Sequence, residues 1–192
     1  MAYLSREALE ALGFGRLGAN VKISDKASIY NPERMEIGDH ARIDDFCVVS
    51  GKVILGRNVH IAVFCNIAGG ELGVTIEDFS GLAYGCHVFS QRDDYTGQAM
   101  MNPTLPSKYT KVLKASVLVQ RHCVVGTNCV ILPGVTLQEG TAVWAMSLVT
   151  KSTEPWSVYF GIPAKRLWAR KRDLLELEKQ YLQDEANLKN HP

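Results

Sequence analysis

Ile37-Gly-Asp-His-Ala-Arg-Ile43-Asp-Asp-Phe-Cys-Val-Val49-Ser-Gly-Lys-Val-Ile-Leu55-Gly-Arg-Asn-Val-His-Ile61-Ala-Val-Phe-Cys-Asn-Ile67 carries an aliphatic residue at every sixth position. A period of six matches neither the 3.6 of an α-helix nor the 2 of a single strand. It matches a chain that makes a short strand, turns through about 120° and repeats, so that three hexads close one triangular coil. The phase continues after three extra residues at Ile76, Leu82 and Val88. After an insertion it returns at Val119, Val125, Ile131, Leu137, Val143 and Val149. A looser set, Leu17, Ile23 and Ile29, precedes it. Fifteen aliphatic positions in phase from residue 37 onward exclude a β-sandwich with coincidental spacing.

Two positions before the aliphatic residue sits a smaller or apolar one, such as Ala41, Cys47, Val59, Cys65, Cys86, Cys123, Cys129 or Val135. Strand side chains alternate, so both residues point inward. Gly often follows the aliphatic residue, and Gly or Asn near the corner suits the turn. The pattern predicts an all-β fold, a left-handed parallel β-helix of hexapeptide repeats, over residues 15–162. An inserted loop at 91–115 protrudes from it. Ser5 as N-cap, Leu4 and Leu9 at staple spacing and Gly13 beyond predict a short helix over 5–12. Leu167, Leu174, Tyr181 and Leu188 recur every seven residues, which predicts a helix over 164–188 covering the open end of the coil stack. The whole chain reads as one domain.

The bulk properties narrow the function. With 192 residues, 46% hydrophobic and 21% charged, the chain has the composition of an ordinary globular domain. A net charge of +1 argues against a nucleic-acid surface. No apolar run reaches the ~20 residues that span a bilayer, and the first residues lack the apolar stretch of a secretory signal. The five cysteines show no CxxC spacing and fall at inward positions, so they read as core filler in a cytoplasmic protein rather than as disulfides or zinc ligands.

Three stretches are more specific: Cys129-Val-Ile-Leu-Pro-Gly-Val135, Ala145-Met-Ser-Leu-Val-Thr-Lys151 and Phe160-Gly-Ile-Pro-Ala-Lys-Arg166. In this order they resemble the hexapeptide-repeat acyltransferases, in the subgroup of galactoside, maltose and serine acetyltransferases. The resemblance covers roughly residues 15–168. The insertion start, Asp93-Asp-Tyr-Thr-Gly97, and the length are most similar to acyltransferases of the dTDP-4-amino-4,6-dideoxyglucose type, which serve O-antigen and lipopolysaccharide synthesis. The resemblance implies a homotrimer with acetyl-CoA as co-substrate in the groove between adjacent β-helices, and a nucleotide-linked sugar as acceptor. Its coenzyme positions fall on Thr127, Ala145, Thr150, Lys151 and Lys165.

Acyl transfer needs a nucleophile and a place for its proton, for which histidine is the commonest choice. Galactoside-type relatives keep that histidine in the loop, but residues 91–115 contain none, and Asp93 stands at the expected position. His60 and His87 each precede an inward aliphatic residue and should project outward. His60, in the coil before the insertion, is the leading candidate base, with Asp93 orienting acceptor or base across the subunit interface. His40 and His122 occupy turn positions where solvated side chains are the usual reading, and His191 lies in the tail. The missing loop histidine favours an amine acceptor, N-acylation, over an O-acetyltransferase. A carbonic-anhydrase-like metalloprotein would need three zinc-binding histidines across an interface, and the intact Ala145–Lys151 motif argues for CoA and no metal.

Overall fold

The computed structural model describes residues 2–190, with side chains to residue 188. His191 lies outside the described residues. The chain winds as a left-handed parallel β-helix of about seven turns. Its first face holds six strands, from Arg16–Leu17 to Thr136–Leu137. The third holds six, from Ser28–Tyr30 to Leu148–Val149. The second face holds eight, from Lys22–Ile23 through His60–Ile61 and Ala142–Val143 to Ser157–Gly161 and Ala164–Ala169. Register follows the hexad: Ile43, Ile61, Leu82 and Val125 stack rung on rung, each flush with the next.

Ile23, Ile37, Ile43, Ile61, Ile67, Ile76, Ile131 and Leu137 are all fully buried along the axis. Burying each such side chain contributes about 1.5–3 kcal/mol. The five cysteines are buried and free. The Gly after an aliphatic residue is explained by close approach between coils: a Cβ on Gly38 would lie 2.5 Å from the carbonyl carbon of Gly56.

The corners use left-handed residues beyond Gly and Asn. Asn58 and Asn128 adopt positive φ, but so do His40, Phe46, Phe64, Phe79, His122 and Met146. Such conformations are uncommon for bulky residues, and here each is held by backbone hydrogen bonds to the coil below, as in Asn58 N to Asp39 O and Phe79 N to Arg57 O.

Helix α1 (Arg6–Ala11) is capped by the Ser5 side chain, which accepts from Ala8 N. It drives Leu9 into the lower end of the core. The inserted segment opens as an antiparallel ribbon, Gln91–Asp93 against Val112–Lys114, and the chain rejoins the first face at Val117.

The C-terminal segment differs from the expected single helix over 164–188. Ala164–Ala169 is a strand that folds back on Ser157–Gly161, because the second face still presents an open edge there. Helix α2 starts only at Leu174 and runs to Asn190. It does not cover the end of the stack but runs down its flank. Glu178 binds Arg121 and His122, Tyr181 receives a hydrogen bond from Asn58, and Glu185 binds Arg57 and His40. His40 and His122 are thus clamped rather than solvated. His122 is buried, its ring stacked at 5.6 Å on Phe79 and 6.1 Å from Trp156. Gly140 permits that arrangement, since a Cβ there would lie 2.4 Å from the Trp156 ring.

Candidate active site

On the second face the residue before each inward aliphatic points out, giving the column Lys22, Arg42, His60, Gly81 and Val124. Two residues on, a parallel column holds Ser24, Asp44, Ala62, Ala83, Gly126 and Trp144. His60 therefore stands one coil above Arg42, with Asp44 beside both. Its ring is half exposed, while the Asp44 side chain is only 4% exposed. The distance from His60 Nε2 to Asp44 Oδ2 is 2.8 Å, and Arg42 reaches the same carboxylate from Nε at 2.6 Å and Nη2 at 3.2 Å. The Tyr3 hydroxyl donates to it more weakly, at 3.4 Å.

Burial pushes the Asp44 carboxyl up, but hydrogen bonds from Arg42 and His60, with their charges, hold it below the usual carboxylate range. Ionised, Asp44 can only accept, so His60 Nε2–H donates to it. That fixes the tautomer with the lone pair on Nδ1, the state in which an imidazole accepts a proton from an attacking group.

Sequence reasoning missed Asp44, Arg42 and Tyr3. The signal was available for two of them: Arg42 and Asp44 lie eighteen residues, one coil, before His60 and Ala62.

A cavity of about 500 Å³ opens between this column and α2, lined by His60, Gly81, His122, Val124, Glu178 and Tyr181 among others. Its polar groups are largely paired already: His122 with Glu178, and Ser80, which donates to the Gln120 carbonyl and accepts from Cys123 N. Burial pushes the Cys123 thiol up to about 12, which keeps it out of nucleophilic chemistry. Among the described residues no group of three or more His, Cys, Asp or Glu could hold a metal ion.

The other candidates lie elsewhere. His87 projects from the third face, between Asn66 and Val130 of the neighbouring coils. Asp93 sits half-buried on the inserted ribbon, in the wall of a cavity of about 390 Å³ with Arg92, Asn102, Ser107 and Thr110. Its neighbour Asp94 is spent on the loop itself, accepting from Thr96 N and Oγ1, Gln98 N and Ala99 N. Within one chain His60 and Asp93 do not meet, because the ribbon leaves the corner after the third face while His60 is on the second.

Thr127 and Ala145 occupy successive coils at the corner after the second face, where Met146 N donates to Thr127 O. Lys165 lies on the returning strand of the second face, opposite Phe160. Thr150 and Lys151 are at the end of the third face. The two groups therefore lie on different faces of the coil stack.

The comparisons agree with this architecture. Residues 34–69 match the family described as bacterial transferase hexapeptide (six repeats). The chain is 41% identical over 181 residues to the dTDP-4-amino-4,6-dideoxy-D-glucose acyltransferase of Escherichia coli, covering 93% of this chain and 94% of that one. It superposes with a TM-score of 0.94 and 42% identity on AntD, an N-acyltransferase from Bacillus cereus, in complex with dTDP and 3-hydroxybutyryl-CoA, over 96% of this chain and 98% of that one. A maltose O-acetyltransferase from Clostridium difficile 630, at 17% identity and a TM-score of 0.59 over 86% of this chain and 74% of that one, shares the fold alone. Identity at this level, running almost from end to end over a coil stack of the same shape, places the chain: it belongs to the hexapeptide-repeat acyltransferases, in the family of the dTDP-4-amino-4,6-dideoxy-D-glucose acyltransferase.

Proposed function

We propose that the chain transfers an acyl group from acyl-CoA, acetyl-CoA first among the donors, to the 4-amino group of a dTDP-linked 4-amino-4,6-dideoxyhexose. The observation that carries this reading is the end-to-end likeness to AntD, a point mutant of which has been crystallised with dTDP-4-amino-4,6-dideoxyglucose and coenzyme A. In the reaction the sugar ammonium gives up a proton, and its nitrogen attacks the thioester carbonyl. The C–N bond forms, the C–S bond breaks, and the CoA thiolate leaves with a proton. That first proton goes to solvent; His60 Nδ1, its lone pair set free by the Asp44 hydrogen bond, takes the second proton from the nitrogen as the C–N bond forms and passes it to sulfur.

A homotrimer completes the site. Lys151 and Lys165 pair with the phosphates of CoA held between two copies, alongside Thr127, Ala145 and Thr150. Asp93, on a neighbour's ribbon, orients the amino sugar. The exposed rings of Phe46, Phe64 and Tyr84, which follow the corner between the second and third faces, support a copy-to-copy contact there. Five buried free thiols and an acyl-CoA donor fit the cytoplasm, and the product fits surface-polysaccharide synthesis such as that of O-antigen in lipopolysaccharide.

A second reading rests on the Asp44–His60 pair itself. That arrangement also suits a hydroxyl acceptor, whose deprotonation demands more of the base. The deciding experiment gives the purified protein acetyl-CoA with dTDP-4-amino-4,6-dideoxyglucose or with dTDP-glucose. Free thiol is followed and the product is identified by mass. Amide formation with the amino sugar alone is expected. Ester formation on dTDP-glucose without amide formation would overturn the N-acyl reading, and light scattering showing a fully active monomer would overturn the shared site.

A further inference from the structure

In the outward column of the second face, Lys22, Arg42, His60, Gly81 and Val124, one member carries no side chain. Glycine weakens a strand, and inside one it often marks a place where another group comes close. The backbone does not require it at Gly81. Its φ lies outside the left-handed region, unlike that of Gly70 or Gly85. A Cβ there would meet only the His60 carbonyl oxygen, at 3.3 Å, and the His60 Cβ, at 4.0 Å. Gly38 and Gly140 stand instead where a Cβ would collide, at 2.5 and 2.4 Å. The missing side chain at Gly81 opens the floor of the cavity of about 500 Å³ beneath α2. Ordinary ligand pockets hold ~300–1,000 Å³.

The wall of that cavity selects an apolar guest. Val124 is 45% exposed above Gly81, and Leu177 on α2 is 64% exposed. The polar side chains are turned to protein partners: Glu178 to Arg121 and His122, Asn58 to Tyr181, and Arg170 to the carbonyls of His122 and Gly140. A sugar or a phosphate would leave hydrogen bonds unanswered there, whereas a hydrocarbon chain has none to lose. His60 forms one end of the wall. Its Nε2 is drawn to Asp44, one coil below and toward the following corner, while Ser80 and Gly81 lie one coil above and toward the preceding corner. Nδ1 is on the other edge of the ring and so turns to the cavity. A thioester carbonyl within reach of Nδ1 sits at the mouth, and the carbons beyond it lie over Gly81. From the strand of His60 to that of Val124 there are two strand steps, about 10 Å in all. A six-carbon acyl chain, extended, spans about 6 Å and fits within them.

We propose that this cavity takes the alkyl chain of the acyl donor, that chains of four to six carbons fit it, and that Gly81 determines which lengths are admitted. Acetyl-CoA is then the shortest member of the donor series. The proposal rests on the acyl-CoA reading above, and its test separates the two. Acetyl-, butyryl- and hexanoyl-CoA are compared with the amino sugar as acceptor. In the wild type the KM should fall roughly 5- to 15-fold from acetyl- to butyryl-CoA, as burial of two methylenes implies, and should be no higher for hexanoyl-CoA. In Gly81→Val the ratio of the acetyl to the butyryl KM should collapse to about one. Leu177→Trp fills the same space from α2, leaves the strand untouched and should collapse the ratio likewise. A ratio measured within one protein is not moved by a general loss of activity. Calorimetric binding of butyryl-CoA and acetyl-CoA without acceptor gives the same comparison apart from turnover.

A wild-type KM for butyryl-CoA equal to or above that for acetyl-CoA would overturn the chain pocket and leave the acyltransferase reading standing. So would an unchanged ratio in either variant that folds. Tighter binding of butyryl-CoA than of acetyl-CoA, abolished by Leu177→Trp, in a protein that acylates no amino sugar would uphold the pocket and overturn the N-acyl reading instead.

Discussion

Replacing Asp44 by Asn changes one oxygen for one amide group and should alter both stability and turnover. The Asp44 carboxylate accepts three close hydrogen bonds, two from Arg42 and one from His60. Hydrogen bonds to charged groups contribute about 1.5–3 kcal/mol when sheltered. Arg42 and His60 are 43% and 49% exposed, so water screens both partners. Discounted for that screening, the set amounts to roughly 2 kcal/mol, a fall of about 4–8 °C in Tm for a chain of this size.

The pH dependence has a definite sign. Burial raises the Asp44 carboxyl and its hydrogen bonds lower it further, so its folded value lies below the ordinary ~3.9 of an unfolded aspartate. Its contribution is therefore complete above that ordinary value and is lost as pH falls through the folded one. Wild type and variant should differ at pH 7 and converge in strong acid. For catalysis, an Asn amide can donate to His60 Nε2, which drives the ring proton to Nδ1 and removes the base. A drop in kcat of roughly 10²–10⁴-fold is expected. Thermal melts at neutral and acid pH, with steady-state rates at pH 7, measure both effects. A variant with wild-type Tm and wild-type kcat, or a stability gap that widens toward acid, would refute the reasoning.

His60→Asn should keep the fold and CoA binding and lose roughly 10²–10⁴-fold in kcat; near-normal turnover in it and in His87→Asn alike would leave the proton to water or the departing thiolate. Asp93→Asn should impair turnover or acceptor KM without changing Tm, since a residue on the inserted ribbon adds little to the core, and an unchanged acceptor profile would remove it from the site. Lys151→Ala and Lys165→Ala should raise the KM for acyl-CoA more than that for the acceptor, and coenzyme kinetics untouched in both would refute the phosphate assignment. Ile131→Ala, at a fully buried axial position, should cost about 2–5 kcal/mol in chemical denaturation, and a loss under 1 kcal/mol would mean the axis is loosely packed.

The solenoid was legible because its signal is periodic and redundant: any three of Ile37, Ile43, Val49, Leu55 and Ile61 set the phase of the rest. The C-terminal segment was not, because Ala164–Leu188 mixes two structures. Leu167 and Leu174 share a heptad spacing, yet one belongs to a strand and the other to a helix, and only the free edge beside Ser157–Gly161 decides between them. His122 was misread for a related reason. Its turn position is exposed in an isolated coil and becomes buried only when α2 brings Glu178 against it, across 56 residues of chain. His60 was singled out by its outward phase together with its place in the coil before the insertion. Asp44, which gives that imidazole its tautomer, needed the further step of counting one full coil down the stack.

Helix α2 alters what kind of object this solenoid is. In a simple stack each coil touches only its neighbours, so ends can fray and unfolding proceeds rung by rung. Here one rod is bolted at Glu178 to the coil of Arg121 and His122, at Tyr181 to that of Asn58, and at Glu185 to those of Arg57 and His40. Glu185 alone joins two successive coils, and the helix ties both to the coil of Arg121 and His122 above. The strap converts a zipper into a clamped bundle, whose melting should sharpen toward a single all-or-none step. A chain cut before Leu174 should melt over a broader range, with its lower coils giving way first.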